Sequence, residues 1–350
     1  MRTVDYSDIL RGSAGLAGMN YAPGDATSDV GTPEFRLFRT LHDRRLQKAW
    51  EIHRWPDLCP VEQRHYRQSY DAAENITATT ERFHIGSGRY YQALRAQSPA
   101  AEAPATYSNG GWTENSAYWA ECKNGYSGND WVTGTAYVVG DQVRDPLTDL
   151  QYQVHTAHTA GATIDLTKMG LLTPFNKYIA YEQADETAIA EFFTLTDRDP
   201  RITTQVRRCD FWLSQDGAQV NVTAPAALWV YYRIRRVELK GEMFDADTVY
   251  TSGQQVYFVT SAGLGNFYTA NATTTAGQSP ETTAGKWDVV EIPYFLRGYL
   301  IEAGYADWLT ANDQADEAAA HEGFAEHFLE LEADKLQRQQ QQVRRLQVAA

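Results

Sequence analysis

The sequence predicts an α+β chain in which an N-terminal helix and a C-terminal helical hairpin pack with a small central antiparallel sheet, accompanied by two, and in a degenerate form three, small all-β modules. Three observations carry that expectation. Long helical periodicity runs over residues 33–55 and 293–334, and strand alternation fills residues 199–236. The stretches between are rich in Tyr, Trp, Thr, Gly and Asn and poor in charge, a composition suited to small sheets. The expected divisions are 1–75 (helical), 76–175 (β modules), 176–243 (central sheet), 244–291 (inserted module), 292–336 (helical hairpin) and 337–350 (polar tail).

Residues 7–16 form a short expected helix, followed by a Gly/Pro/Asp-rich connector to Val30. The first long helix starts at Thr32, a good N-cap, with Pro33 fitting the first helical position. Phe35, Phe38, Leu41, Leu46, Ala49 and Trp50 then recur mostly at three- and four-residue spacings. The helix should stop near Trp55-Pro56, because proline disfavours helical geometry in the residue before it.

The β-rich stretches contain an internal repeat. Tyr137, Gly140 and Val143 match Tyr250, Gly253 and Val256 at equal spacing, and Tyr152 to Gly161 matches Tyr268 to Gly277. A third, degenerate copy precedes them: Tyr91-Gln92-Ala93, Pro104 and Trp112 echo Tyr268-Thr269-Ala270, Pro280 and Trp287, with a two-residue drift at the tryptophan. The copy after Phe244 interrupts the body of the chain, as an insertion at a loop with neighbouring ends would.

Between the modules, residues 177–196 place Ile189, Phe193 and Leu195 on one face of an expected strand. Cys209, Phe211 and Leu213 alternate before the turn Gln215-Asp216-Gly217, and residues 219–222 return from it, a hairpin signature. After Pro225, Leu228, Val230, Tyr232 and Ile234 fall on one face. Trp229, Tyr231, Arg233 and Arg235 fall on the other, expected for an interface or solvent. From Pro293 a helical stripe of Phe295, Tyr299, Ala303, Ala306 and Leu309 runs to a break at Thr310–Asp313. A second helix carries Phe324, Phe328 and Leu331 on its expected apolar face, and the short connection implies antiparallel packing.

A net charge of −14 argues against direct binding to a phosphate backbone, which needs a basic stripe to displace counterions. Arg207-Arg208 and Arg233-Arg235-Arg236 read as solvated or interface-facing strand residues. Three cysteines far apart, Cys59, Cys122 and Cys209, point to neither a disulfide framework nor a zinc site and imply a reducing compartment. The start of the sequence lacks the apolar run of a signal peptide, and no later run is long enough to cross a bilayer, so the expected site of synthesis is the cytoplasm.

The chemistry-bearing patterns are sparse, and the expectation is a protein without catalytic, cofactor or metal residues. His155 and His158 fall on an expected strand, which puts them on opposite faces. Gly263-Leu264-Gly265 lacks the third glycine and the helix that a dinucleotide site needs. The carboxylate pairs Asp197/Asp199 and Asp245/Asp247 read as loop and turn residues, although two carboxyls are all that glycoside hydrolysis requires.

Two resemblances attach to these residues. The segments DPR, RRCDF and LWVYYRIRR, the opening helix closing on AWEIHRWPDLCPVEQR, and Ile292-Pro293 leading into helices resemble the neck proteins of tailed phages, the head-to-tail adaptors. The resemblance covers roughly residues 5–70 and 188–342 and implies a virion structural protein at the head–tail junction. It further implies a homo-oligomeric ring of twelve copies, docked on the portal protein above and another neck or tail protein below, with DNA passing through without specific binding. The tail inserts into the portal in that family, which carries over to Gln339, Arg344, Arg345 and Leu346.

The repeated pattern Y-x-x-G-D/Q-x-V, a turn, Y-x-A or Y-x-V, T-A-G, then P and W resembles the small chitin-binding type of carbohydrate-binding module, whose exposed aromatics stack on pyranose rings. Carried over, the stacking positions are Trp131 and Tyr152 in the first full copy and Tyr268 and Trp287 in the second, with a host-surface glycan as ligand and a tail or baseplate component as the alternative role. The first copy departs from the pattern, having no tryptophan where Trp287 falls and no equivalent of Pro280.

Overall fold

The computed structural model describes residues 2–19, 32–184 and 186–348, apart from the side chains of residues 337 and 339–348. The chain is α+β, with four α-helices among the described residues and many small sheets. It divides into two compact units, Met1–Leu58 with Arg236–Ala350, and Cys59–Arg235.

The first unit holds α1 (Tyr6–Leu16), α2 (Pro33–Ile52), α3 (Arg297–Ala311) and α4 (Ala315–Val348). Thr32 caps α2 as its sequence predicts, its Oγ1 accepting from the Phe35 N–H at 3.2 Å. The helix ends at Ile52, three residues before the expected Trp55-Pro56, and Trp55 folds back so that its indole N–H reaches Ala49 O at 2.8 Å. Helix α3 is the hub. Tyr299, Leu300, Ala303, Ala306 and Leu309 are all buried, so it is apolar around most of its circumference rather than along one stripe.

An ion-pair knot ties three helices together. Arg45 of α2 is bidentate to Asp307 of α3 (2.5 and 2.7 Å) and to Glu322 of α4 (both 2.7 Å). Those paired carboxylates hold the guanidinium pKa above its ordinary range. Nearby, His42 is fully buried between the Ser13 hydroxyl (2.9 Å) and the Tyr6 hydroxyl (3.2 Å), and burial pulls its pKa down to about 3.

Residues 242–289 form the module of this unit. Its sheet has strand order Glu242–Met243, Gln255–Val259, Gly265–Ala270, Trp287–Val289, the first pair parallel and the others antiparallel. One face buries Tyr250, Val256, Ala270 and Trp287, while Tyr257 and Phe267 meet the rings of Tyr6 and Phe35 on α1 and α2. The helices thus pack with this module. Aromatics of the module cover the apolar faces of α1 and α2.

The second unit holds two more modules and the central sheet. Residues 129–172 repeat the strand order and the parallel first pair: Asn129–Asp130, Gln142–Arg144, Gln151–Val154, Met169–Leu172. The degenerate copy has Glu81–His84, Arg89–Ala93 and Trp119–Glu121 in the same order, with the parallel first strand reduced to a single bridge from Ser69 to Phe83. One hydrogen-bonded turn is common to all three: Gly140 N–H to Val154 O (2.9 Å), Gly253 N–H to Ala270 O (2.8 Å) and Thr79 N–H to Ala93 O (2.7 Å). The donor residue has positive φ each time, easy for glycine and strained for Thr79 at 70°.

Register identifies the closing residue. Ala270 pairs with Trp287, Ala93 with Trp119 and Val154 with Met169. The tryptophan of the degenerate copy is therefore Trp119 and not Trp112. Trp112 sits in an extra hairpin, Ala105–Ser108 with Gly111–Glu114, whose insertion carries the equivalent tryptophan, Trp119, nine residues further along than in the copy after Phe244.

The central sheet has order Arg208–Cys209, Ile189–Thr196, Ala227–Ile234, Val61–His65, all antiparallel. Leu228, Val230 and Tyr232 are buried and Trp229 and Tyr231 lie on the outer face, matching the alternation of the sequence, but the match ends there: Arg233, expected at an interface or in solvent, is buried on its ion pair with Glu191, and Ile234 is half-buried. On the neighbouring strand the buried residues are Ile189, Phe192 and Leu195, not the expected Phe193. Register shifts at Ile189/Glu191 and Phe192/Thr194 turn Phe193 outward onto the Tyr231 ring, 4.9 Å between centroids. Phe211–Leu213 and Gly217–Val220 form the expected hairpin.

Candidate interaction surfaces

The four aromatic positions expected to stack on sugars do not form exposed platforms. Trp287 is 5% exposed, with its indole N–H donating to Gln278 O at 3.2 Å, and Tyr152 is 7% exposed. Both are core residues of their modules, so neither ring has a face for a ligand. Tyr268 is half-buried against the same cluster as Trp287. Trp131 is half-buried as well, stacked on Tyr137 with centroids 5.0 Å apart and planes 18° apart, and its indole N–H points to Gly161 O at 3.3 Å. The reason is common to all four: a module of about fifty residues has no core without its largest rings. The aromatic pair that is exposed was not singled out by the repeat. Tyr107, 64% exposed, and Trp112 face each other across the extra hairpin, centroids 5.3 Å apart.

Helix α4 carries two stripes. Ala318, Ala325 and Leu329 are the residues buried on the α3 side, whereas Phe324, Phe328 and Leu331, expected to face the core, are exposed, Phe324 by 55%. Phe328 lies partly over Gly298, whose missing side chain leaves room for the ring. The core stripe is small because α3 and α4 pack closely, which displaces the larger rings to the flank. Spacing of four and three residues lines up Phe324, Phe328 and Leu331 along the helix. Residues 315–335 hold seven carboxylates and one lysine, with Glu317 continuing the apolar row and Asp334 lying beside its Leu331 end. At 34 residues the helix is about 51 Å long at 1.5 Å per residue. Its backbone continues through positions 339–346, while the side chains of Gln339, Arg344, Arg345 and Leu346 lie outside the described residues.

A pocket of about 420 Å³ opens on the outer face of the central sheet, floored by Val61, Thr194, Trp229 and Tyr231 and walled by Val206 and Arg208. The connection from 198 to 208 that forms its rim contains Arg198, Arg201, Arg207 and Arg208, all exposed. Arg201 places its guanidinium 5.0 Å from the Trp229 ring centroid and pairs with Asp199 at 2.9 Å, which holds that carboxyl below its ordinary pKa. Asp197 and Asp210 flank the segment, Asp197 accepting from the Arg207 backbone N–H at 2.9 Å. The other arginine cluster is consumed in ion pairs: Arg233 with Glu191 (3.1 Å), Arg235 with Glu182 and Arg236 with Asp43.

On the inner side of the same sheet, Arg64 is nearly fully buried and reaches Glu186 (2.6 Å), Glu62 (3.0 Å), the Tyr232 hydroxyl and Thr187 O (3.0 Å). Burial is the largest cause of the rise that takes the Tyr232 pKa up to about 12. The network fastens strand Val61–His65 to strand Ala227–Ile234.

Asp245 accepts from the Asp247 N–H (3.0 Å) and the Thr248 hydroxyl (2.8 Å), a turn-forming arrangement rather than an acid–base pair. His155 is buried and His158 points its Nδ1 to Thr156 O at 3.0 Å. Among the described residues no group of three His, Cys, Asp or Glu is placed to hold a metal, and no helix is long and apolar enough to cross a membrane. No family model, curated protein or solved structure matches the chain.

Proposed function

We propose that this chain is a structural protein of a tailed-phage virion, a head-to-tail adaptor that assembles as a homo-oligomeric ring between the portal and the next neck or tail protein. The observation that carries this reading is α4: a helix of 34 residues, anchored at its base by the Arg45 knot, displays an acidic and apolar flank. A helix of that length has far more surface than the unit covers, which suits a part completed by other chains. The sequence resemblance supplies the identity of those chains, and the acidic balance suits a channel that DNA slides through without sticking. Removing residues 337–350 in the source phage tests the reading. The expected result is a lysate of separate heads and tails, counted by electron microscopy. Joined particles in normal number would contradict it.

A second reading, a glycan-binding tail or baseplate component, is favoured by one observation, the exposed Tyr107–Trp112 pair. It predicts retention on an immobilised host-surface polysaccharide that Trp112→Ala abolishes and Trp287→Phe leaves intact.

A further inference from the structure

The two surfaces described above complement each other. The flank of α4 offers two phenyl rings and a leucine in a row bordered by carboxylates. The pocket of the other unit offers an apolar floor of Trp229, Tyr231 and Val61 with Arg208 in its wall, on a segment, 198–208, that carries three further exposed arginines. We propose that Phe324 and Phe328 of one copy seat in this pocket of a second copy, with Glu317 and Asp334 meeting Arg207 and Arg208. The inference deepens the assembly reading and rests on it for its setting.

Shape and charge each select this occupant. A pocket of about 420 Å³ is at the small end of ligand sites, which run from roughly 300 Å³ upward, and suits one or two ring-sized side chains. In a chain of net charge −14, segment 198–208 gathers four exposed arginines, more than its neighbouring Asp197, Asp199 and Asp210 offset, and residues 315–335 are where carboxylates outnumber lysine seven to one. Steering such a pair together raises the rate of encounter and disfavours the like-charged alternatives, helix on helix or rim on rim. The seated rings then carry most of the affinity, since exposed ion pairs contribute little once solvated. Helix flank and pocket are different patches, so the contact is made either reciprocally in a twofold dimer or head to tail, which propagates into a closed ring or an open filament.

The experiment uses the full chain with p-benzoylphenylalanine in place of Phe324, mixed as ordinary and heavy-isotope copies and irradiated. Mass spectrometry should find mixed-isotope crosslinks from position 324 to the strands and rim that line the pocket. Alongside, sedimentation velocity over a concentration series should show self-association of the unmodified chain, and Phe324→Asp or Arg208→Glu should each weaken it roughly tenfold or more. Both positions are exposed, so circular dichroism should show an unchanged fold. A chain that stays monomeric throughout, or crosslinks that land only away from the pocket, overturns the proposal, as does an oligosaccharide filling the pocket without any effect on self-association. Particles labelled at the head–tail junction without these crosslinks would remove the contact and leave the adaptor reading standing. Crosslinks in a protein that labels no particle would do the reverse.

Discussion

The modules around Tyr152 and Tyr268 share strand order, a parallel first pair and a glycine turn, yet they are built into different surroundings. In residues 242–289, Tyr257 and Phe267 sit against Tyr6 of α1. In residues 129–172 the neighbour is the degenerate copy: Gln92 Nε2 donates to Leu171 O (2.6 Å), Gln153 Nε2 to Trp119 O (3.3 Å), and Leu172 packs with Leu94 and Ala120. One scaffold serves as the seat of a helix pair and as half of a module pair. The difference teaches that the outer face of the module is adaptable while its inner aromatic positions are committed to packing, where Trp287, Trp119 and Met169 hold the same place.

Truncating that place is the strongest way to break the comparison. Trp287→Ala should cost about 4 kcal/mol and Met169→Ala about 3 kcal/mol, each measured by urea unfolding. A loss in either as small as that of a surface substitution would end the equivalence. Next come the glycines where the parallel first strand crosses its neighbour. A Cβ on Gly128 would lie 2.7 Å from the Val143 backbone nitrogen, and one on Gly241 2.7 Å from the Val256 carbonyl carbon. Gly128→Ala and Gly241→Ala should therefore be destabilising alike, by about 2 kcal/mol each.

The helical unit has a pH dependence of its own. His42 stays neutral when folded, its pKa held near 3, whereas the unfolded chain takes up a proton at about 6.5. Stability from this group is present above pH 6.5 and is lost as pH falls toward 3, at about 1.4 kcal/mol per pH unit. His42→Gln should flatten that slope in acid-unfolding curves. The smallest effect is a gain: Thr79 occupies the positive-φ position that Gly140 and Gly253 fill, so Thr79→Gly should stabilise the degenerate copy by about 1 kcal/mol. Thermal melts would show it.

Much of this architecture was legible because it repeats or alternates. Equal spacing exposed the module copies, Thr32-Pro33 marked the start of α2, and period-two alternation sorted Leu228, Val230 and Tyr232 from Trp229 and Tyr231. Three things were hidden for physical reasons. A bulge adds a residue without leaving a mark in composition, so Phe193 was placed on the wrong face. Helix α4 carries two apolar stripes, and the larger residues drew the assignment although Ala318, Ala325 and Leu329 make the buried one. Aromatic residues in a small sheet look alike whether they stack on a ligand or fill a core, and only register showed Trp287 to be core. The pocket is assembled from strands distant in sequence, and its one local signal was the gathering of Arg198, Arg201, Arg207 and Arg208.

The proposed place of this chain is the junction of head and tail. Gold-labelled antibody against the protein, applied to particles from the source lysate and viewed by electron microscopy, tests it directly. The account predicts label at the head–tail junction of each decorated particle. Label at the tail tip, or on no particle at all, would contradict it.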